Sequence, residues 1–297
     1  PEASWEMTPF APRHSAAKLE APKDPALKDP KTWTIAGKPM PRLDTADKVD
    51  GRKSFGIDLK LPGMLNAAIK ACPVFGGKRK GFDATAATGM AGVRKVVAVG
   101  DDAVAVIADT WWQAKTALDA VKIDWDNGPN AGMSSEKTAA MLREGLDAKE
   151  AFVGNQAGDA DAAIAAAATK IEAVYSVPHQ HHATMEPMNA TARWTAALDR
   201  VEVWCPTQNG ESALATAAAA SGLQPQQCEV YRIDLGGGFG RRATSHDYVR
   251  HAVLIAKEMP GTPIKLIWSR EEDMLHGWYH PVTMCKLTGW YQPWSMS

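Results

Sequence analysis

In two places in the second half of the chain, apolar residues first alternate as in a β-strand and then recur every three to four residues as in an α-helix. Residues 228–235 alternate apolar and polar side chains, which predicts a half-buried strand, and Ala243 to Lys257 carries apolar residues at helical spacing. Residues 201–205 predict another strand, which an alanine-rich helix from about Glu211 to Ser221 follows. In both places a strand is therefore predicted to lead through a short polar or glycine-rich connection into a helix.

The first half of the chain changes its pattern at about Gly51. Residues 1–40 are rich in proline, lysine and aspartate without apolar periodicity, which predicts an extended linker. Residues 131–165 predict a helical connection, with helices after Ser134 and over 159–170. Between these segments the pattern predicts strands at 55–61, 64–72, 93–99, 103–108 and 121–125, a solvated loop at 75–80, and a helix over 110–120 capped by Asp109.

The connection before the 243–257 helix is a glycine cluster followed by two arginines, Asp-Leu-Gly-Gly-Gly-Phe-Gly-Arg-Arg over 234–242. Glycines let an anionic group touch main-chain N–H donors, and arginine forks grip phosphate. The dinucleotide fingerprint Gly-x-Gly-x-x-Gly is not met, because Arg241 stands three residues after Gly238, and the phosphate-loop Lys-Ser/Thr is absent. A backbone-lined anion site is therefore favoured, and a tight turn with solvent-facing arginines is the alternative.

Two further segments carry polar side chains at predicted strand ends. Gln208 and Asn209 follow the 201–205 strand, where their amides can donate into a pocket, although Asn209 also suits a helix cap. Three histidines between positions 179 and 182 precede Glu186 and another predicted strand. Their open spacing lacks the usual zinc-ligand patterns, so hydrogen-bonded histidines in a packed loop are the favoured interpretation.

Composition narrows the classes of function. A chain of 297 residues predicts two domains, and a net charge of −1 argues against a broad nucleic-acid or anionic-membrane surface. The four cysteines are scattered, whereas iron–sulfur clusters need cysteines in close sets, so no cluster is expected in this chain. No stretch approaches the roughly 20 apolar residues that a membrane span requires.

Four motifs follow one another along the chain, at residues 185–192, 203–208, 236–242, and 268–274 followed by Tyr279-His280-Pro281. In this order and spacing they resemble the molybdenum-binding subunits of the xanthine oxidase family, and within it the isoquinoline 1-oxidoreductase β-subunit type. The Arg241-Arg242 pair, where xanthine oxidases usually show glycine and lysine, favours the isoquinoline-type branch. The resemblance implies an α+β chain, with an α/β hammerhead domain over 41–130 and the first part of a mixed α+β molybdopterin-binding domain over 166–297.

The resemblance also implies a cofactor, partners and roles for single residues. The cofactor would be molybdopterin with molybdenum, in the cytosine dinucleotide form, and the metal would be held by the pterin rather than by protein side chains. Electrons from an N-heteroaromatic or aldehyde substrate, oxidised with water-derived oxygen, would pass to a small subunit with two [2Fe–2S] clusters. The implied residues are Gln208 beside an oxo ligand, Gly236, Gly237, Gly238, Phe239 and Gly240 against the cofactor, Arg241 and Arg242 at its phosphates or stabilising the loop, and Glu186 on the substrate side.

One element of the family is expected outside this sequence. The family's general-base glutamate lies near the C-terminal end of the full subunit, and no glutamate here matches it, so the chain is expected to be an internal piece of a longer subunit and inactive alone. A non-catalytic scaffold of the same fold that binds a partner is the alternative. Ala243 stands where purine-oxidising relatives carry a substrate-contacting glutamate, which disfavours xanthine as a substrate. The location stays open between periplasm and cytoplasm.

Overall fold

The computed structural model describes residues 23–291, in two units divided between Lys53 and Ser54. In the first unit, a 3-10 turn at Pro30–Thr32 and helix α1 (Thr45–Val49) are described, and neither contains a buried residue. Residues 1–22 of the predicted linker, and 292–297 at the end of the last predicted domain, lie outside the described residues.

The second unit is built around a seven-stranded mixed sheet. In spatial order the strands are β3 (Val93–Val99), β4 (Ala103–Ala108), β1 (Leu65–Ala71), β10 (Ile264–Ile267), β7 (Asn189–Trp194), β8 (Val201–Pro206) and β9 (Cys228–Ile233). Neighbouring strands run antiparallel except for two parallel pairs, β1 with β10 and β8 with β9. The sheet is continuous from the predicted 41–130 segment into the predicted 166–297 segment, and the domain boundaries themselves stay a prediction.

Helices cover both faces of this sheet. Strand β4 is apolar and buried throughout, as expected for a strand with both faces covered. Its Val104 and Val106 pack in one core with helix α3 (Trp111–Ala120), whereas Ala105 and Ile107 belong to the other core. The second core also contains residues of helices α6 (Gly210–Ser221) and α7 (Asp247–Lys257). The mixed α+β fold predicted from the sequence is confirmed.

Smaller elements complete the described part of the second unit. Two antiparallel ribbons pair β2 (Lys78–Asp83) with β5 (Lys122–Asp126), and β6 (Thr169–Val177) with β11 (Thr283–Tyr291). None of the helices between residues 23 and 291 has the length and apolar content that a bilayer crossing requires. The remaining helices are α2 (Thr85–Thr88), α4 (Ser135–Gly145), α5 (Ala160–Ala166) and α8 (Arg270–His276), with 3-10 turns at Gly56–Asp58, Pro129–Gly132 and Pro225–Gln227.

The predicted strand at 55–61 is wrong, because distant side chains bind its backbone. The segment forms the Gly56–Asp58 turn, in which the Ile57 N–H donates to Glu186 Oε1 at 2.8 Å. The Lys265 ammonium donates to the Ile57 and Leu59 carbonyls at 2.6 and 2.8 Å. These backbone groups are therefore engaged by side chains instead of by a neighbouring strand.

Other local predictions are confirmed or need shorter bounds. The strands at 93–99 and 103–108 are confirmed. The loop predicted at 75–80 is wrong from Lys78 onward, because that segment pairs with β5 as a ribbon. Asp109 is not the cap of α3: Thr110 Oγ1 accepts from the Gln113 N–H, while Asp109 pairs with Arg94. The helices predicted at 243–257 and 159–170 are shorter, at Asp247–Lys257 and Ala160–Ala166.

Candidate functional site

The glycine cluster forms a loop between β9 and α7 that needs left-handed backbone conformations. Gly237 and Gly240 have φ values of +104° and +102°, and Phe239 between them has φ +54°. A non-glycine residue at positive φ is uncommon and strained, and such strain concentrates at ligand-binding sites. Two turn hydrogen bonds hold the loop, from the Arg241 N–H to the Gly238 carbonyl at 2.9 Å and from the Ala243 N–H to the Gly240 carbonyl at 3.0 Å.

Two glycines of this loop leave no room for a side chain. A Cβ atom at Gly238 would lie 2.4 Å from Gln208 Oε1, and one at Gly236 would lie 2.6 Å from Glu186 Cβ. The loop backbone therefore packs directly against two of the side chains that the sequence singled out.

Gln208 stands just beyond the end of β8, with its amide fixed by the glycine loop. The side-chain oxygen Oε1 accepts from the Gly240 N–H at 3.1 Å and from the Arg242 N–H at 3.3 Å. The backbone N–H of Gln208 donates to the Arg242 carbonyl at 3.0 Å. Two backbone donors on one amide atom identify that atom as the oxygen. The two hydrogen bonds to Oε1 use only the carbonyl end of the Gln208 side-chain amide. Its NH₂ group therefore stays available as a donor on an exposed side chain.

Asn209, the neighbour of Gln208, is a helix cap. Its side-chain oxygen accepts from the Ser212 N–H at 3.1 Å at the start of α6, which confirms the capping interpretation. The adjacent Thr207 is buried, and its hydroxyl lies 2.7 Å from His246 Nε2. Burial lowers the pKa of His246. The connection that carries Gln208 is thus fixed on both sides.

Glu186 is buried and joins three parts of the second unit. Its Oε1 accepts from the Ile57 N–H at 2.8 Å and from Asn189 Nδ2 at 3.0 Å. Its Oε2 accepts from the Gly236 N–H at 2.8 Å and lies 3.2 Å from Arg242 Nη2. Both carboxylate oxygens are therefore engaged within the protein.

Arg242 ties the glycine loop to the end of β8. Its side chain is fully buried, and it donates to the carbonyls of Glu186 at 2.7 Å, Gly237 at 3.0 Å and Pro206 at 3.3 Å. Burial lowers the pKa of Arg242, and the Glu186 carboxylate opposes that shift. The side chain thus works as an internal crosslink for the loop.

Arg241 is also fully buried, and it faces the start of α7. It binds both carboxylate oxygens of Asp247, at 2.9 and 3.0 Å, and donates to the Ser245 carbonyl at 2.9 Å. Its guanidinium also lies over the ring of Trp268, 5.7 Å from the centroid. The interpretation of the double arginine as solvent-facing is wrong, because local carboxylates and carbonyls provide what an interior cation needs.

With this geometry established, comparisons with known proteins place the chain. Residues 145–287 match the molybdopterin cofactor-binding domain family. This match and the relatives described next support a molybdenum-binding subunit of the xanthine oxidase family. The family suggested by the four sequence motifs is therefore confirmed.

Individual relatives of this family are distant and longer. The beta chain of isoquinoline 1-oxidoreductase from Brevundimonas diminuta is 28% identical, over 88% of this chain and 34% of its own length. The large subunit of nicotine 6-hydroxylase from Paenarthrobacter nicotinovorans is 24% identical, over 84% of this chain and 35% of its own length. The chain thus spans about a third of the length of these relatives.

Solved structures share the fold. Quinoline 2-oxidoreductase from Pseudomonas putida 86 superposes with a TM-score of 0.66 at 17% identity, covering 84% of this chain and 36% of that one. The aldehyde oxidoreductase from Desulfovibrio gigas gives a TM-score of 0.66 at 20% identity, covering 84% and 32%. At these identities the likeness concerns the fold alone.

A pair from the fourth motif, Arg270 and Asp273, supports the segment that leads to Glu186, a role that the sequence did not predict. The Arg270 guanidinium donates to the Thr184 carbonyl and to Asp273 Oδ2. The Ala183 N–H donates to His181 Nδ1, so the proton of this imidazole lies on Nε2, which donates to the Asp273 carbonyl at 2.7 Å. The signal in the sequence that could have located this pair is Ser269, which caps the start of α8 and so places Arg270 and Asp273 in its first turn.

The backbone of the glycine loop suits an anionic cofactor. Among the described residues, the N–H groups of Gly237, Gly238 and Phe239 have no hydrogen-bond partner in the protein, and they follow one another along the loop. Successive N–H donors in alternating conformations form an anion-binding concavity. Phe239, 69% exposed, sits at the same place. In residues 23–291, no group of three or more histidine, cysteine or acidic side chains is placed to hold a metal ion.

Proposed function

We propose that this chain contributes the cofactor cradle of a molybdenum hydroxylase subunit that oxidises an N-heteroaromatic compound or an aldehyde. The observation that carries the proposal is the Gln208 amide, whose oxygen is fixed by the Gly240 and Arg242 N–H groups beside three loop N–H donors without partners. The names of the relatives support the substrate class, since they include an isoquinoline oxidoreductase, a nicotine hydroxylase and an aldehyde oxidoreductase.

Molybdopterin, in its cytosine dinucleotide form, would supply the redox and oxygen-transfer chemistry when bound. Gln208 would donate from its NH₂ group to an oxygen of the cofactor, and the loop N–H groups that bind its side-chain oxygen hold this donor in place. Preorganised donors of this kind need little rearrangement during reaction, which makes them effective. The N–H groups of Gly237, Gly238 and Phe239 would donate hydrogen bonds to anionic atoms of the cofactor, and the Phe239 ring would provide an apolar wall.

The arginines and Glu186 have supporting roles in this proposal. Arg241 and Arg242 stabilise the loop rather than bind phosphate, because their guanidinium groups are buried against Asp247, Glu186 and carbonyls. Glu186 orders the loop rather than touching substrate, because both its oxygens accept hydrogen bonds within the protein. We further propose that the enzyme to which this chain contributes passes electrons to a small [2Fe–2S] subunit.

The test is Gln208→Glu in the complete subunit assembled with its iron–sulfur partner, measured as turnover of isoquinoline or an aromatic aldehyde per bound molybdenum. The carboxylate keeps an oxygen for the Gly240 and Arg242 N–H groups but removes the NH₂ donor. Loss of one preorganised donor predicts turnover lower by roughly 100-fold, with molybdenum content unchanged. Gln226→Glu, on an exposed turn residue, is the matched control and keeps full turnover. Full turnover in molybdenum-loaded Gln208→Glu protein would remove Gln208 from the site and favour a binding scaffold.

A further inference from the structure

A separate cavity of about 270 Å³ adjoins Asp247, the ion-pair partner of Arg241. Aromatic side chains form much of its wall, and two of them, Phe75 and Trp278, lie 6.4 Å apart between ring centroids. Trp268, the third, is the ring on which Arg241 rests. The polar lining comes from Asp102, Asp247, Arg250, His251 and His276.

Half of the unpartnered buried polar atoms in the described residues belong to the lining of this cavity. Eight buried side-chain atoms there have no hydrogen-bond partner in the protein, and four come from lining residues. Such atoms are costly in a folded protein, and clusters of them call for an explanation. Trp268, His251 and His276 are 2%, 5% and 8% exposed. The four atoms are Asp102 Oδ1, His251 Nδ1, Trp268 Nε1 and His276 Nε2.

The chemistry of these atoms defines a complementary ligand. The Trp268 indole N–H can only donate, so it requires an acceptor, and a carboxylate oxygen of Asp102 requires a donor. The two imidazoles can do either when neutral, and burial favours that form because it lowers the pKa of His251 to about 3 and also lowers that of His276. A matching molecule therefore carries both a donor and an acceptor.

The charges around the cavity favour an uncharged ligand. Asp102 and Arg250 form a loose ion pair at 3.8 Å, with both side chains more than a third exposed. Asp247 adds a second carboxylate, which Arg241 and the Trp278 indole N–H already engage. Each carboxylate therefore has its own guanidinium partner, Arg250 for Asp102 and Arg241 for Asp247, so the described lining leaves no unpaired charge to bind a charged ligand. Glu272 lies 3.5 Å from His276 Nε2 but does not line the cavity, and burial raises its pKa, which favours its uncharged form.

We propose that this cavity binds an uncharged aromatic amide of one or two rings. The aromatic walls suit a planar ring, and an amide group supplies one acceptor for Trp268 and one donor for Asp102. The volume lies just below the range of about 300–1,000 Å³ typical of drug-sized ligands, which limits the ligand to a small one. This cavity is separate from the cofactor cradle, because neither Gln208 nor any residue of 236–240 lines it.

The test is titration of the protein with benzamide, followed through the indole ¹H–¹⁵N signal of Trp268, which the Trp268→Phe variant identifies. Saturable binding with a shift of that signal is expected, and Trp268→Phe, which keeps a ring but removes the donor, should bind roughly tenfold more weakly. His251→Phe serves as a second variant if Trp268→Phe fails to fold. Benzoate should bind more weakly than benzamide because the described lining offers its charge no unpaired cation.

The controls separate this site from the cofactor cradle. Trp204→Phe removes an indole that stacks on Tyr231, outside the cavity lining, and should leave benzamide affinity unchanged. Gln208→Glu should also leave it unchanged, whatever it does to turnover. No saturable benzamide binding would overturn the proposal, because it would leave water as the partner of the four polar atoms. Equal affinity for toluene, or no effect of either cavity variant, would overturn it as well.

Discussion

Glu186→Gln tests whether the buried Glu186–Arg242 pair builds the glycine loop. The substitution preserves shape but removes the negative charge, and it replaces one oxygen with an NH₂ group. Neither orientation of the new amide fits, because Oε1 accepts from the Ile57 N–H and Oε2 accepts from the Gly236 N–H. One of these donors must therefore face another donor, and the fully buried Arg242 loses its carboxylate.

The structure sets the size of the effect. Removing one partner of a buried ion pair costs about 3–5 kcal/mol of unfolding free energy. Arg242 keeps its hydrogen bonds to the Pro206 and Glu186 carbonyls, so the loss of the ion pair falls at the lower end of this range. The donor–donor contact adds about 1–3 kcal/mol. The total of about 4–6 kcal/mol corresponds to a fall in Tm of roughly 8–24 °C for a domain of this size.

Urea unfolding followed by tryptophan fluorescence measures this loss. Glu202→Gln is the matched control, because Glu202 pairs with Arg193 at 2.6 Å on the partly exposed side of the sheet, where such pairs contribute about 0–1 kcal/mol. Adding Arg242→Met to Glu186→Gln should recover part of the stability, because it removes the unpaired cation. If Glu186→Gln lost no more stability than Glu202→Gln, the crosslinking role of this pair would be refuted.

Two further predictions concern the loop and the pH dependence of stability. Gly238→Ala should destabilise the fold or displace Gln208, since its Cβ would lie 2.4 Å from Gln208 Oε1, while Gly81→Ala, with open space around it, should be tolerated in the same unfolding assay. Burial raises the pKa of Glu272 to about 7, so the folded protein holds the Glu272 proton more tightly than the unfolded chain does. The protonated Glu272 contributes its full stability below about pH 4.5, and this contribution is lost as the pH rises to about 7. At about 1.4 kcal/mol per pKa unit, the loss is roughly 3 kcal/mol of unfolding free energy. Glu272→Gln should remove that decline from the unfolding free energy, whereas the exposed Glu271→Gln should keep it; an unchanged decline in Glu272→Gln would assign it to another group.

The fold was predictable wherever apolar periodicity decides the structure. The all-apolar strand at 103–108 and the alanine-rich helix before Gly222 follow from local pattern alone. The Gly56–Asp58 turn does not, because the groups that bind its backbone, Glu186 and Lys265, are 129 and 208 residues away along the chain. Local patterns carry no information on such partners.

The same distinction applies to the candidate site. The glycines and Gln208 stand out in the sequence because their residue types and positions at strand ends point to a backbone-lined pocket. The burial of Arg241 and Arg242 depends on which carboxylates and carbonyls surround them, and this emerges only when Glu186 and the end of β8 come together. The free N–H groups at Gly237, Gly238 and Phe239 likewise follow from the path of the loop.

The most direct measurement is the molybdenum and pterin content of the protein, purified from a host that makes the cofactor, together with its Gly238→Val variant. One molybdenum and one pterin per chain are expected in the unsubstituted protein. The variant should lose both, because its side chain would enter the space between the loop and Gln208. Absence of molybdenum and pterin from the unsubstituted protein, or full occupancy in Gly238→Val, would contradict the assignment of this loop as the cofactor cradle.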